Sequence, residues 1–269
     1  MIIPAGERPT PARLRQWWVL TVRVIKPTLR NGELLTPPVT SVVFTIGFYI
    51  PLKKLMGNFT NGMSSYAQYV TPLIVLQAIA FAAVLTAFRS ATDAVLGINQ
   101  RFGAMPIAPL APLGARISAS MVRCSTALAF AILCGHVIGF RFHAGAGFAA
   151  AFCIVALMIG VALSLLGDLV GAATMNPDAT THLLMLPMLI FGLLSVGVQP
   201  VEQFPGWIQP FVRDQPISQL IYALRALAGD STTAAGVANW SVIGPAVGWL
   251  IGTIAIVLPL YAYRSSRRR

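Results

Sequence analysis

Apolar and polar residues follow one another along this chain in long blocks rather than at the short periods of an amphipathic soluble domain. Six blocks are apolar and long enough to cross a bilayer: residues 34–52, 67–88, 117–140, 147–167, 179–200 and 242–263. A crossing helix needs about 20 predominantly apolar residues, because the hydrocarbon layer is roughly 30 Å thick and each helical residue advances ~1.5 Å. Arg123 is the one charged residue inside a block, and its stem is expected to snorkel to the interface. Pro37, Pro38, Pro72 and Pro187 fall within blocks, where membrane helices tolerate proline better than soluble ones do. The pattern predicts an all-α integral membrane protein of six spans, with one domain over residues 1–269.

Two further segments are amphipathic but too short to span. In residues 11–30, Leu14, Trp17, Trp18, Val22, Ile25 and Leu29 share one helical face and Gln16, Arg23, Lys26 and Arg30 another. This predicts an interfacial helix, either lying on the inner leaflet with its tryptophans at headgroup depth or docked on other protein. Residues 201–230 predict a short external or re-entrant helical pair. Its second helix carries Ile217, Leu220, Ile221, Leu224 and Leu227 on one side, with Ser218, Gln219 and Arg225 expected to turn away.

Composition supports the membrane reading: 56% of the 269 residues are hydrophobic and only 10% are charged, where a soluble domain carries about 25%. The net charge of +11 raises nucleic-acid binding, but the basic residues sit at the chain ends and between apolar blocks, with no aromatic-interleaved patch. Arg8, Arg13, Arg15, Arg23, Lys26, Arg30, Arg89, Arg101, Arg116, Arg123, Arg264, Arg267, Arg268 and Arg269 fall on one predicted side, against Lys53, Lys54, Arg141, Arg213 and Arg225 on the other. Cytoplasmic loops are enriched in Lys and Arg, so a multi-pass protein of the cell membrane with both termini cytoplasmic is expected. No signal-peptide pattern is expected at the N-terminus.

The chemistry of most enzyme classes is missing. No Gly-x-x-x-x-Gly-Lys-Ser/Thr run occurs, so any ATP is expected on another chain. His136, His143 and His182 are scattered without acids at catalytic spacing, and Cys124, Cys134 and Cys153 lie in apolar stretches without ligand spacing. No catalytic, cofactor or metal residue is assigned. Asn58-Phe59-Thr60 and Asn239-Trp240-Ser241 match a glycosylation pattern too short to carry weight. Asp168 closes the fourth block; as an acid near span depth it is a candidate proton relay, or else a helix-end residue reached by water. Arg89 and Asp93, one turn apart, are expected to pair.

The most informative polar link is residues 89–116, RSATDAVLGINQRFGAMPIAPLAPLGAR. Ser90 or Thr92 is expected to cap a short helix running to about Phe102, with Gly103 ending it and Met105-Pro106-Ile107-Ala108-Pro109-Leu110 leading into the third span. A short stiff helix on a loop suits a mechanical contact with a partner; the alternative is an ordinary surface turn.

This link, with Arg89, Arg101-Phe102 and Met105-Pro106 ahead of a third span, resembles the coupling-helix region of type-2 ABC exporter membrane subunits. Gly47-Phe48-Tyr49-Ile50-Pro51, Phe88-Arg89-Ser90-Ala91-Thr92-Asp93, Gly139-Phe140-Arg141-Phe142-His143, Asn176-Pro177-Asp178 and Gln215-Pro216-Ile217-Ser218-Gln219 look like the daunorubicin-resistance (DrrB-like) permeases of actinobacteria, over nearly the whole chain. The resemblance implies a membrane subunit working with two copies of an ABC ATPase, which bind ATP and Mg, and with a second, DrrC-like permease. It implies as cargo a bulky apolar lipid of the phthiocerol dimycocerosate kind or a hydrophobic drug of the anthracycline kind. Arg89, Thr92, Asp93, Leu96, Asn99, Arg101 and Phe102 are then the candidate ATPase-coupling residues. Phe44, Phe48, Phe81 and Phe191 are candidates for an apolar substrate path, or else face lipid or neighbouring helices. The competing reading is a proton-coupled secondary transporter using Asp168.

Overall fold

The computed structural model describes residues 13–56, 66–103, 111–230 and 238–267. Among them every regular element is helical. The basic segment around Arg8, the glycosylation-like Asn58-Phe59-Thr60, the link from Met105 to Leu110, and Arg268 and Arg269 lie outside the described residues.

The chain begins with α1 (Arg13–Arg30). A short turn (Glu33–Leu35), α2 (Thr36–Phe44), a π-helical turn (Thr45–Tyr49) and α3 (Ile50–Met56) follow without a break and form the first long apolar rod, Glu33–Lys53. Pro37 and Pro38 sit where a helix start has amide hydrogens to spare. Pro51 brings no N–H for the carbonyl of Gly47, and the ladder widens into the π turn just before it. The remaining elements are α4 (Tyr66–Val95), α5 (Ile98–Gly103), α6 (Ala111–Ile138), α7 (Ala146–Thr174), α8 (Pro177–Leu193), α9 (Gln209–Asp214), α10 (Pro216–Ala228) and α11 (Trp240–Arg267).

Five described helical rods are long and apolar enough to cross a membrane: Glu33–Lys53, α4, α6, α7 and α11 over Trp240–Tyr261. The remaining expected span forms α8, which has 17 residues. At ~1.5 Å per residue α8 is roughly 25 Å long, short of the ~30 Å hydrocarbon layer. It stops at Leu193, and residues 194–200 turn rather than continue the helix to 200. Asn176 caps it, its side chain accepting from the Ala179 amide, and Pro177 occupies its first position.

The bundle is organised around α4, whose residues are buried on nearly every side. Its closest neighbour is α7, and small residues explain the approach. A Cβ placed on Gly171 would lie 2.2 Å from the Ala87 carbonyl oxygen, and one on Gly167 would lie 3.1 Å from the Ala87 Cβ. In lipid, where the apolar environment drives helices together only weakly, such small-residue contacts supply the association. Gln68 binds the link between α6 and α7 through both amide atoms, donating to the Arg141 carbonyl at 2.9 Å and accepting from the Arg141 amide at 3.1 Å.

α1 docks on α6 along one stripe and leaves an apolar face uncovered. Trp17 donates from Nε1 to the Ser118 hydroxyl at 3.2 Å and lies over Gly114 of α6. Thr21 and Thr28 are buried, each hydroxyl returning to a carbonyl of its own helix, those of Trp17 and Val24. Leu14, Trp18, Val22 and Leu29 stay exposed on the neighbouring face. Trp17 therefore belongs to the docked stripe rather than to the face it was expected to share with Trp18.

α10 also departs from its expected orientation. Ser218 is fully buried and Arg225 is 1% exposed, because α10 is enclosed by α4, α7 and α11 rather than lying on a surface. Gln215, at the start of α10, and Ser218 turn back to the end of α8: Gln215 donates to the Leu194 carbonyl at 2.5 Å and Ser218 accepts from the Val196 amide at 3.2 Å. The three cysteines are free; Cys124 is buried, and Cys134 and Cys153 are half-buried.

Candidate functional site

Glu33, Arg89, Asp93, Arg116 and Asp168 gather at the end of the bundle where α4 ends and α6 begins, called here the basic end. α4 does not stop near Ser90 but runs on to Val95, so Ser90 and Thr92 lie inside it rather than capping a new helix. The Thr92 hydroxyl returns to the Phe88 carbonyl at 2.9 Å, and the Ser90 hydroxyl donates to the Asp168 carbonyl of α7 at 2.9 Å. The break falls at Leu96-Gly97, where Gly97 adopts φ +68°, a backbone conformation that side chains disfavour. Gly97 then accepts the first hydrogen bonds of α5, from the amides of Gln100 and Arg101.

Arg89 and Asp93 do not pair with each other. Arg89 forms an ion pair with Glu33 and donates to the Val24 carbonyl of α1 at 3.2 Å. Asp93 accepts from Arg116 at 2.8 Å. The second terminal nitrogen of Arg116 reaches Asp168 at 3.1 Å, so one guanidinium joins α4, α6 and α7. Asp168 is 0% exposed and is not the water-reached helix end that its position suggested. It lies a full turn inside α7, which runs on to Thr174, and Arg116 replaces the water. One of its oxygens, Oδ2, has no hydrogen-bond partner.

Arg123 does not snorkel. It is 1% exposed, and one terminal nitrogen donates to the Thr86 hydroxyl at 2.8 Å. Thr86 donates in turn to Ser120 at 2.9 Å, and Ser120 meets Ser164 of α7 at 2.5 Å. A column of polar contacts thus descends from the basic end between α4, α6 and α7. Beside it is a cavity of about 340 Å³ lined from α1 by Leu20, Arg23 and Val24, from α4 by Thr86 and Arg89, from α6 by Arg116 and Arg123, and from α5 by Ile98.

Of the expected coupling residues, Arg89, Thr92 and Asp93 therefore occupy the last turns of α4, Leu96 the turn, and Asn99, Arg101 and Phe102 α5. Leu96 and Arg101 are exposed; the side chains of Asn99 and Phe102 lie outside the described residues. Sequence reasoning missed Glu33, Arg116 and Ser90 as members of this cluster. Arg116 had been counted only as a basic loop residue, and its seven-residue spacing from Arg123 on one helix was the signal that joined them.

Three of the four expected path residues come together. The Phe44 ring stacks on Phe48 at 5.9 Å and meets Phe81 edge-on at 5.1 Å. Phe191 lies apart, 39% exposed and 6.0 Å from the Phe211 ring of α9. His136 packs against Phe140 and Phe142. Among the described residues no three His, Cys, Asp or Glu side chains converge to hold a metal.

Long apolar rods around a salt-bridged end, with a short helix beyond a glycine turn, give the frame of a multi-pass membrane protein. The family profile of ABC-2 type transporters matches residues 15–228, and the chain belongs to that family. It is 50% identical over 248 residues to the doxorubicin resistance ABC transporter permease protein DrrB of Mycobacterium tuberculosis, covering 90% of this chain and 86% of that one. It is 27% identical over 245 residues to the probable doxorubicin resistance permease protein DrrC of the same organism, covering 87% and 84%. The daunorubicin resistance permease protein DrrB1 of Streptomyces coeruleorubidus is 25% identical over 268 residues, covering 96% and 89%. The chain is thus a multi-pass ABC transporter permease, and its relatives are named as permeases rather than enzymes.

Proposed function

We propose that this chain is one membrane half of an ATP-driven exporter in the cell membrane that moves a bulky apolar lipid or a hydrophobic, anthracycline-like drug outward. Its basic end faces the cytoplasm, in keeping with the enrichment of Arg there. Two ABC ATPase subunits carrying ATP and Mg meet it at α5, and a second related permease completes the path. The observation that carries this reading is the α4–Gly97–α5 unit. A 30-residue helix ends in a glycine turn and a short helix with Arg101 exposed, while Arg89, Asp93 and Arg116 tie the same end to α1, α6 and α7. Closure of an ATPase dimer pressing on α5 would move α4 and its attached helices as one body. The aromatic contact of Phe44, Phe48 and Phe81 suits an apolar cargo.

The test is affinity purification of the tagged full chain from native membranes in mild detergent, with mass spectrometry of what accompanies it. Recovery of an ABC ATPase and a second permease is expected. Recovery of the chain alone would count against the heteromeric exporter. The burial of Asp168 and its open Oδ2 favour a second reading, a proton-coupled transporter; the close contact with Arg116 argues for a structural carboxylate instead.

A further inference from the structure

Arg123 presents a problem that the transport reading does not use. It is buried, yet its Nε and Nη1 have no hydrogen-bond acceptor, and among the described residues no carboxylate lies within ion-pair distance of it. The two carboxylates lining the adjoining cavity are already engaged, Glu33 by Arg89 and Asp93 by Arg116. A guanidinium is expensive to hold at membrane depth without a counter-charge, and it cannot shed its proton to escape that cost.

We infer that the cavity between α1, α4 and α6 binds a phosphate group through Arg123, and that a phospholipid headgroup supplies it. Of the arginines lining this space, Arg89 and Arg116 are already paired with carboxylates, whereas Arg123 meets an entering anion with two unsatisfied donors. The volume of about 340 Å³ matches the low end of ligand pockets. One wall is α1, whose outer face exposes Leu14, Trp18 and Val22 in the manner of a helix seated among headgroups. Phosphate is the anion found in that layer, and basic pockets between membrane helices are suited to it. Arginine donates to phosphate oxygens more strongly than to neutral acceptors. Arg123 and its hydrogen-bond partner Thr86 both line the cavity, as does Ile98 of α5, so occupancy is positioned to influence the mobility of the short helix.

The test is native mass spectrometry of the full chain in detergent, titrated separately with dioctanoyl phosphatidylglycerol, dioctanoyl phosphatidylcholine and inorganic phosphate. The expected result is one phosphatidylglycerol bound at least fivefold more tightly than phosphatidylcholine, with that preference lost in Arg123→Gln and partly kept in Arg123→Lys. Binding of inorganic phosphate alone, dependent on Arg123, would support the phosphate site and overturn the headgroup as its source. Equal binding of both lipids, unchanged in Arg123→Gln, would overturn the inference. Should Arg123→Gln fail to fold, Leu20→Trp, which fills the cavity from α1 and leaves Arg123 in place, is expected to abolish the same preference; a preference unchanged in that variant would overturn the site.

Discussion

Arg225 lies over the ring of Tyr69, its guanidinium carbon 3.5 Å from the ring centroid, while its Nε donates 3.1 Å to the backbone carbonyl of that same residue. A terminal nitrogen reaches the Val196 carbonyl at 2.7 Å, and the Tyr69 hydroxyl donates to that oxygen at 2.5 Å. One buried arginine thus joins α10, the start of α4 and the turn after α8. Carbonyl dipoles and the face of an aromatic ring supply the compensation.

Arg225→Met keeps much of the volume and removes every one of these donors. A loss of about 3 kcal/mol is expected from unpaired carbonyls and the missing cation–ring contact. At 2–4 °C per kcal/mol for a chain of this size, that is a fall of roughly 6–12 °C in thermal midpoint. Fluorescence-monitored unfolding of the purified chain in detergent checks it, and an unchanged midpoint would remove Arg225 from the stabilising set.

The α4–α7 contact predicts a contrast between two glycines of one helix. Gly171→Ala must push backbone apart, since the new Cβ would sit 2.2 Å from the Ala87 carbonyl oxygen, whereas Gly147 has nothing within 4 Å. Gly171→Ala is expected to destabilise by about 1–3 kcal/mol. Gly147→Ala is expected to be neutral or slightly stabilising, by up to ~1 kcal/mol. The same unfolding assay compares them, and equal effects would mean that the approach of these helices is looser than described.

Coupling is tested at α5 and its turn. Arg101→Ala removes an exposed cation, and Gly97→Ala strains a turn held at φ +68°. Both variants of the assembled transporter are expected to retain most ATP hydrolysis while export falls at least fivefold. Export and hydrolysis both surviving at wild-type levels would sink the coupling role of α5.

Asp168→Asn separates the two transport readings. For an ATP-driven exporter, efflux from energised vesicles should persist after a protonophore collapses the proton gradient, in the wild type and in Asp168→Asn alike. Loss of the Arg116 ion pair should appear instead as lower thermal stability, by about 3–5 kcal/mol for one partner removed from a buried pair. Transport abolished by the protonophore would favour the proton-coupled alternative.

The spans were legible because block hydropathy needs no tertiary information: the apolar runs at 67–88 and 147–167 fall inside α4 and α7. What sequence could not supply was which side of a helix meets protein and which meets lipid, since both are apolar. Trp17 and Trp18 are adjacent and alike, yet one docks on Gly114 and the other stays 59% exposed. Arg123, Arg225 and Asp168 were read as residues seeking water, because local sequence shows a charge and not its distant partners. Thr86, Arg116 and the Tyr69 carbonyl are far from them in the chain or on another helix, and they replace water inside the bundle. The turn at Gly97 was hidden by Ser90 and Thr92, which have the chemistry of helix caps but spend it on neighbouring helices and on their own backbone.

α4 carries one internal proline, Pro72, and from there to Val95 it is an unbroken helix. At ~1.5 Å per residue that stretch is roughly 35 Å long, and it is clamped near one end by Arg225 and at the other by Arg89 and Arg116. If α5 takes the proposed stroke, such a beam would act as a lever, carrying its attached helices with it about the clamp at Tyr69. A tilt of about 5° about that clamp would displace the far end by roughly 3 Å on a helix of that length, so a stroke at α5 would require little bending of the helix and would reach the middle of the bundle as a smaller sideways displacement.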